Sequence, residues 1–325
     1  MQTRHINRRA ALALLAAAGA AAALPSWADD YPGRPITIVI PYGPGSYTDD
    51  VARPIAPMLQ KLLGQPVIID NRAGANGVIG SQYVARAKPD GYTLLIGSST
   101  TLAANVGLFK ALPYDPLKDF SPVAGIASTS MMLVVRSDFP AKDMKSFLAQ
   151  AKAQPQPLAV GYGSSSAQVA LAQLTQVGGV RFTGVPYKGT PQAIIDLIGG
   201  QVPAALVDVS NGVPQLRSGK LAALSISGER RSAAAPEVPT LAEIFPGTQL
   251  VTWIGLVAPA GTPAAIVDRL DRAVAEVLAS PELKRQFAAL STDIEPMGHA
   301  AMGSRMKRDQ AQWLELIRAA GIQPE

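Results

Sequence analysis

Ile36-Thr-Ile-Val-Ile40 runs directly into Pro41-Tyr-Gly-Pro-Gly-Ser-Tyr-Thr-Asp-Asp50, and the fold can be read outward from this stretch. A continuous run of β-branched residues predicts a short strand buried on both faces. The glycine-rich turn then gives way to a polar helix start. Backbone N–H groups are left unpaired there, and about half a positive charge accumulates. Such a place attracts phosphate or carboxylate. Gly43-Pro-Gly-Ser-Tyr-Thr48 also comes within one residue of G-x-G-x-x-G, and Asp70 ends the next apolar run. A dinucleotide fold carries its ribose-binding acid at that place. Thr48 replaces the third glycine, however, and Tyr47 would crowd a pyrophosphate.

Val160-Gly-Tyr-Gly-Ser-Ser-Ser-Ala-Gln168 repeats the arrangement, with three hydroxyls at a helix start as a second polar cradle. Further apolar runs at 67–69, 93–96, 132–135, 158–160, 204–207 and 222–226 alternate with helical stretches. That alternation predicts parallel α/β sheets, whose ligands sit at the carboxyl ends of the strands. Thr190-Pro191, Thr262-Pro263 and Ser280-Pro281 mark helix starts, and 300–319 reads as a final amphipathic helix. No flexible linker is visible. Two α/β units without one suggest a chain that crosses between lobes on strands, near Ser128 and Trp253. Lobe 1 is therefore expected over 29–127 and 253–325, and lobe 2 over 128–252.

Residues 1–28 read as a leader: Arg4, Arg8 and Arg9, then an apolar run over 10–24, then Ser26-Trp-Ala28 as a cleavage site. The apolar run is shorter than the roughly 20 residues a membrane span needs. Arg8-Arg9 leaves both the general and the twin-arginine export routes open. Removing the leader leaves 26 basic against 24 acidic residues, which gives no support to nucleic-acid binding. The chain has no cysteine, and His299 is the one histidine outside the leader. Disulfides, thiol nucleophiles and zinc–thiolate sites are excluded, and no G-x-S-x-G elbow supplies a serine nucleophile. Asp49-Asp50 is read as complementing a helix dipole and not as a metal site. No metal, cofactor or catalytic residue is expected.

Further motifs bring a resemblance into view. Tyr31-Pro-Gly-Arg-Pro-Ile36 and the first loop are followed by Gly64-Gln-Pro-Val67, Asn71-Arg-Ala-Gly74, Pro89-Asp-Gly-Tyr-Thr-Leu94 and Leu112-Pro-Tyr-Asp-Pro116. Val185-Pro-Tyr-Lys-Gly189, Gly199-Gly-Gln-Val202, Gly219-Lys-Leu221 and Ala258-Pro-Ala-Gly-Thr-Pro263 complete the series. In this order and spacing the chain resembles the Bug family, periplasmic solute receptors of tripartite tricarboxylate transporters.

The resemblance implies an α/β protein of two Rossmann-like lobes, of the type II periplasmic-binding-protein kind, closing on a small carboxylate in the cleft between them. Its partners would be transporter membrane subunits, and a monomer is expected. First-lobe contacts would fall on Tyr42, Gly45, Ser46, Thr48 and Asp49, with Ser98, Ser99 and Thr100. Those of the second lobe would be Ser164, Ser165, Ser166, Tyr187, Lys188 and Asp208. Gly45-Ser46-Tyr47 departs from the family's Gly-Gly-Pro and brings a phenol to the pocket mouth. Pro54 and Pro57 lie where the family has an unbroken helix, and Pro57 is expected to kink it or delay its start. The alternative reading is an exported nucleotide-dependent oxidoreductase built on Gly43, Gly45 and Asp70; a sensing module on the same fold is a third.

Overall fold

The computed structural model describes residues 31–248, 250–319 and 321–324. The leader predicted for 1–28 lies outside them. The chain begins β1 (Ile36–Ile40), α1 (Tyr47–Leu63), β2 (Val67–Asn71), α2 (Val78–Ala85) and β3 (Thr93–Ser98). A wide π-type turn (Thr100–Ala104) leads into α3 (Asn105–Leu108) and then β4 (Phe120–Arg136), α4 (Met144–Ala153), β5 (Leu158–Tyr162) and α5 (Ser165–Gly178). Next come β6 (Phe182–Pro186), α6 (Thr190–Ile198), β7 (Ala204–Asp208), α7 (Val209–Arg217), β8 (Leu221–Ile226) and α8 (Leu241–Ile244). The chain closes with β9 (Val251–Pro259), α9 (Ala264–Ala279), α10 (Pro281–Ala289), β10 (Asp293–Gly298) and α11 (His299–Ala319).

The strands follow the order β2-β1-β3-β9-β4-β7-β5-β6, with β8 and β10 also paired to β4. β1 is parallel to β2 and β3, and β5 is parallel to β6 and β7. The sheets are not wholly parallel as the alternation predicted. β9 is antiparallel to β3, and β4 is antiparallel to β7, β8, β9 and β10. β4 is the reason. Its 17 residues pair with β9 from Phe120 to Ser130, then with β7 and β8 from Met131 onward. The sequence showed only its apolar end at 132–135. The segment before it mixes Ser, Gly, Pro and Thr, and its strand form comes from ladders to distant partners, which local propensity does not report.

Both faces of the sheets are covered, as the β-branched runs require. Ile36, Ile38 and Ile40 point to one core with Val51, Ile55 and Leu59 of α1, whereas Val39 points to another with Leu95, Trp253 and Met302. Likewise Leu133 and Val135 of β4 face one cluster and Met132 and Val134 the opposite one.

Ser280 caps α10 with Pro281 at its first position, as read from the sequence. α1 starts at Tyr47, so Pro57 does not delay it. It runs unbroken for 17 residues through Pro54 and Pro57. Pro57 is exposed and Pro54 half-buried, as are Arg53 and Asp50 four positions earlier, so the carbonyls deprived of a helical donor lie on the outer side of the helix. Among the described residues, no helix is long and apolar enough to cross a membrane.

Candidate functional site

Four helix starts face one cavity of about 40 Å³ between the two sheet regions. Ser46, Tyr47 and Thr48 come from α1, Ser164 and Ser166 from α5, Gly189 and Thr190 from α6, and Asp208 directly precedes α7. Each start leaves amide donors without helical acceptors, and the four partial positive charges add on the same volume. Anion binding follows from that convergence more firmly than from any single turn.

The first loop is held by its own carboxylate. Gly45 has φ +74°, a left-handed conformation that glycine tolerates, and its N–H donates to Asp49 Oδ2 at 2.9 Å. Asp49, 1% exposed, also accepts from Arg53 Nε at 2.6 Å and Asn71 Nδ2 at 2.9 Å. Burial opposes its charge, but the bonds from Arg53, Asn71 and Gly45 outweigh it and hold the carboxyl below its ordinary range. Ser46 caps the helix, accepting from Asp49 N at 3.4 Å. In the second cradle Ser164 Oγ accepts from Ala167 N at 3.3 Å. Contacts across the cleft join Thr100 to Ser166 (hydroxyls 2.8 Å apart) and Ser165 Oγ to Asn105 Oδ1 at 3.2 Å. Asn211 Nδ2 adds a third, donating to Gly45 O at 3.2 Å.

Three buried hydroxyls on the cavity wall, those of Tyr42, Tyr47 and Ser98, make no hydrogen bond of good geometry within the protein, although Tyr42 lies beside Ser98 and Thr100 and Tyr47 beside Thr292. An unsatisfied buried polar group costs about 1–3 kcal/mol, so this wall favours a polar guest. Burial pushes the Tyr42 phenol up to about 12 and Tyr47 well above its usual value, so both remain proton donors at neutral pH. Burial likewise pushes Asp208 up to about 6, helped by the like charge of Asp50 and opposed by the Thr190 hydroxyl. Thr190 donates to Asp208 Oδ2 at 2.8 Å.

A stability prediction follows from Asp208. Its acid form is favoured in the folded state, so stability falls as pH rises from the unfolded value, near 3.8, to about 6, then levels. Asp208→Asn removes this penalty. The variant should match wild type at about pH 3.5 and exceed it at neutral pH by up to about 3 kcal/mol in urea unfolding. Equal stabilities at both pH values would show that the carboxylate is not destabilised by its burial.

Of the residues anticipated from sequence, Tyr42, Ser46, Thr48, Ser98, Thr100, Ser164, Ser166 and Asp208 line the cavity. The others do not. Gly45 and Asp49 lie behind it and form the loop. Ser99 is fully buried outside the lining, and Ser165 is turned to Asn105. The Tyr187 hydroxyl donates to Asp196 at 2.9 Å, and Lys188 stands exposed in the next turn. Sequence reasoning missed Gly163, Thr190, Met131, Gly189, Thr252 and Ile254, and did not count Tyr47 among the contacts. Thr190-Pro191 was legible as a helix start, but nothing local says that this start meets the other three. For the dinucleotide alternative, Gly45 offers no free amide, and Asp70 is paired with Arg72 at 2.7 Å.

The sequence pattern of the "Tripartite tricarboxylate transporter family receptor" matches residues 51–322. The chain is 39% identical over 279 residues to BugT of Bordetella pertussis, covering 85% of each chain. It is similar to the R. palustris protein Rpa4515 solved with adipate, at 31% identity and TM-score 0.88, covering 91% of this chain and 100% of that one. MatC of Rhodopseudomonas palustris, solved with malate, matches at 35% identity and TM-score 0.83, covering 88% of this chain and 100% of that one. A cavity ringed by helix N-termini and a sequence match spanning most of the chain agree: this protein belongs to the tripartite tricarboxylate transporter receptor family.

Proposed function

We propose that the protein is an extracytoplasmic receptor, periplasmic after leader removal, that captures a small organic acid and delivers it to transporter membrane subunits. The observation that carries this is the meeting of four helix starts and three buried hydroxyls, none well hydrogen-bonded within the protein, on one cavity. The set is suited to holding an anion, because oriented amide and hydroxyl donors stabilise negative charge. The relatives solved with adipate and malate add support for a carboxylate. In this reading the carboxylate rests against Tyr42, Ser46, Thr48, Ser98 and Thr100, and Ser164, Ser166 and Asp208 close from the other side. The lobes are taken as 29–127 with 253–325, and 128–252. The pairing of β4 supports a first crossing between Ser130 and Met131, and that of β9 a return at Val251. Closure is a hinge motion driven by contacts made only in the closed form, by a receptor acting as a monomer.

A thermal-shift panel of organic acids tests the assignment. An acid at 100 times its dissociation constant should add about 2.7 kcal/mol of stability. A nicotinamide cofactor that stabilises the protein while every acid leaves it unchanged would reverse the assignment in favour of the oxidoreductase.

A further inference from the structure

We propose that Asn211 is a latch between the lobes: its side-chain amide ties α7 to the start of α1 and sets how long a ligand stays inside. This rests on the two-lobed receptor reading above and adds a positioning residue outside the ligand cavity. Asn211 Nδ2 donates to Gly45 O at 3.2 Å and to Asp50 Oδ2 at 3.4 Å, both on the facing side of the cleft. Both partners are acceptors, which fixes the orientation of the amide group. Asn211 Oδ1 accepts nothing within the protein, so the residue holds by donation alone. Gly45 and Asp50 flank Ser46, Tyr47 and Thr48, so the latch grips the loop that forms one wall of the cavity.

The two other contacts across the cleft do not suit this part. Thr100 and Ser166 line the cavity, so a ligand competes for their hydroxyls. Ser165 and Asn105 are fully buried, next in sequence to residues of a single apolar cluster. That cluster packs Ala103, Ala104 and Leu108 of the first lobe with Leu133, Ala167 and Ala170 of the second. It cannot part without exposing apolar surface to water. The cleft therefore parts where half-buried Asn211 makes bonds that water can replace. Closing also brings Asp50 toward Asp208, a carboxylate of the same sign. A neutral donor to Asp50 offsets that repulsion, and a bond to an ionised acceptor is stronger than one between neutral groups.

Distances between two nitroxide labels, measured by electron–electron resonance on the mature protein, decide the matter. The chain has no cysteine, so Lys61→Cys and Lys220→Cys take one label each. Lys61 lies in the last turn of α1 and Lys220 just past α7, both exposed and remote from the latch. Asn211→Ala should raise the ratio of long to short distances about tenfold, as expected for losing a hydrogen bond to a charged acceptor. Asn211→Asp, equal in shape but an acceptor beside Asp50, should open the protein at least as far. Urea midpoints of both variants should stay close to wild type, because water replaces the lost bonds. A purely structural role would lower the midpoints and leave the distances alone. With malate and adipate as probes, dissociation should quicken about tenfold at unchanged association, by the same factor for each acid, since the latch touches neither. Distances or dissociation rates that are alike in wild type and both variants overturn the inference. If neither acid binds, the distances alone decide the latch, and the wider acid panel decides the receptor separately.

Discussion

Gly163→Ala is expected to abolish ligand binding and to lower the unfolding free energy by about 1–3 kcal/mol, the usual cost of overpacking. A Cβ at this position would run into backbone atoms of Gly189 and Thr190. Backbone cannot rotate aside as a flexible side chain does, so the start of α6 or the loop before α5 must move. Either shift parts Ser164 and Ser166 from Thr190 and Asp208, which together form one wall of the cavity. Gly43→Ala is the control, because nothing lies within 4 Å of a Cβ there. Urea unfolding and calorimetry on both variants check the claim. A Gly163→Ala protein that binds the acids of the panel at wild-type strength would show that the contact between these two loops does not position the site.

Asp49→Ala is expected to weaken ligand binding about tenfold or more and to destabilise the fold by about 1–3 kcal/mol for each polar group left without a partner. The group left bare is the Gly45 N–H, whereas the Asn71 amide loses one bond but keeps the one it donates to Tyr42 O at 3.0 Å. Arg53 adds little, because its side chain is 53% exposed and its charge returns to water. Binding falls because the loop that sets Ser46, Tyr47 and Thr48 loses its internal anchor. The folded carboxyl lies below its ordinary range, so this stabilisation is fully present above the unfolded value and disappears as pH falls through the folded one. Wild type and variant should therefore converge in acid. A variant that keeps its full stability yet loses binding would mean instead that Asp49 touches the ligand directly.

Asp49 and the turn before it show how far the sequence could be read. Ser46 as a cap, the turn before it and the strand before that were all legible, because each depends on neighbours within a few residues. So was the start of α10 at Ser280-Pro281. Asp49 was anticipated as a ligand contact, but its carboxylate folds back onto Gly45 and is joined there by Asn71 from β2. That outcome depends on a strand 22 residues away. β4 is similar: its apolar end could be recognised, whereas the half that pairs with β9 and β10 is a strand because of partners more than 100 residues distant.

The amino-acid order alone determined the strand-turn-helix units, their caps and the overall α/β character, since these follow from hydrogen bonds and side-chain spacing within a single unit. Tertiary structure decided which helix starts meet, that Gly163 must pass close to Thr190, and that Asp208 is buried without a cation. The physical reason is that charge and burial are properties of a shared volume, and a volume bounded by four separate helix starts exists only after the sheets have assembled.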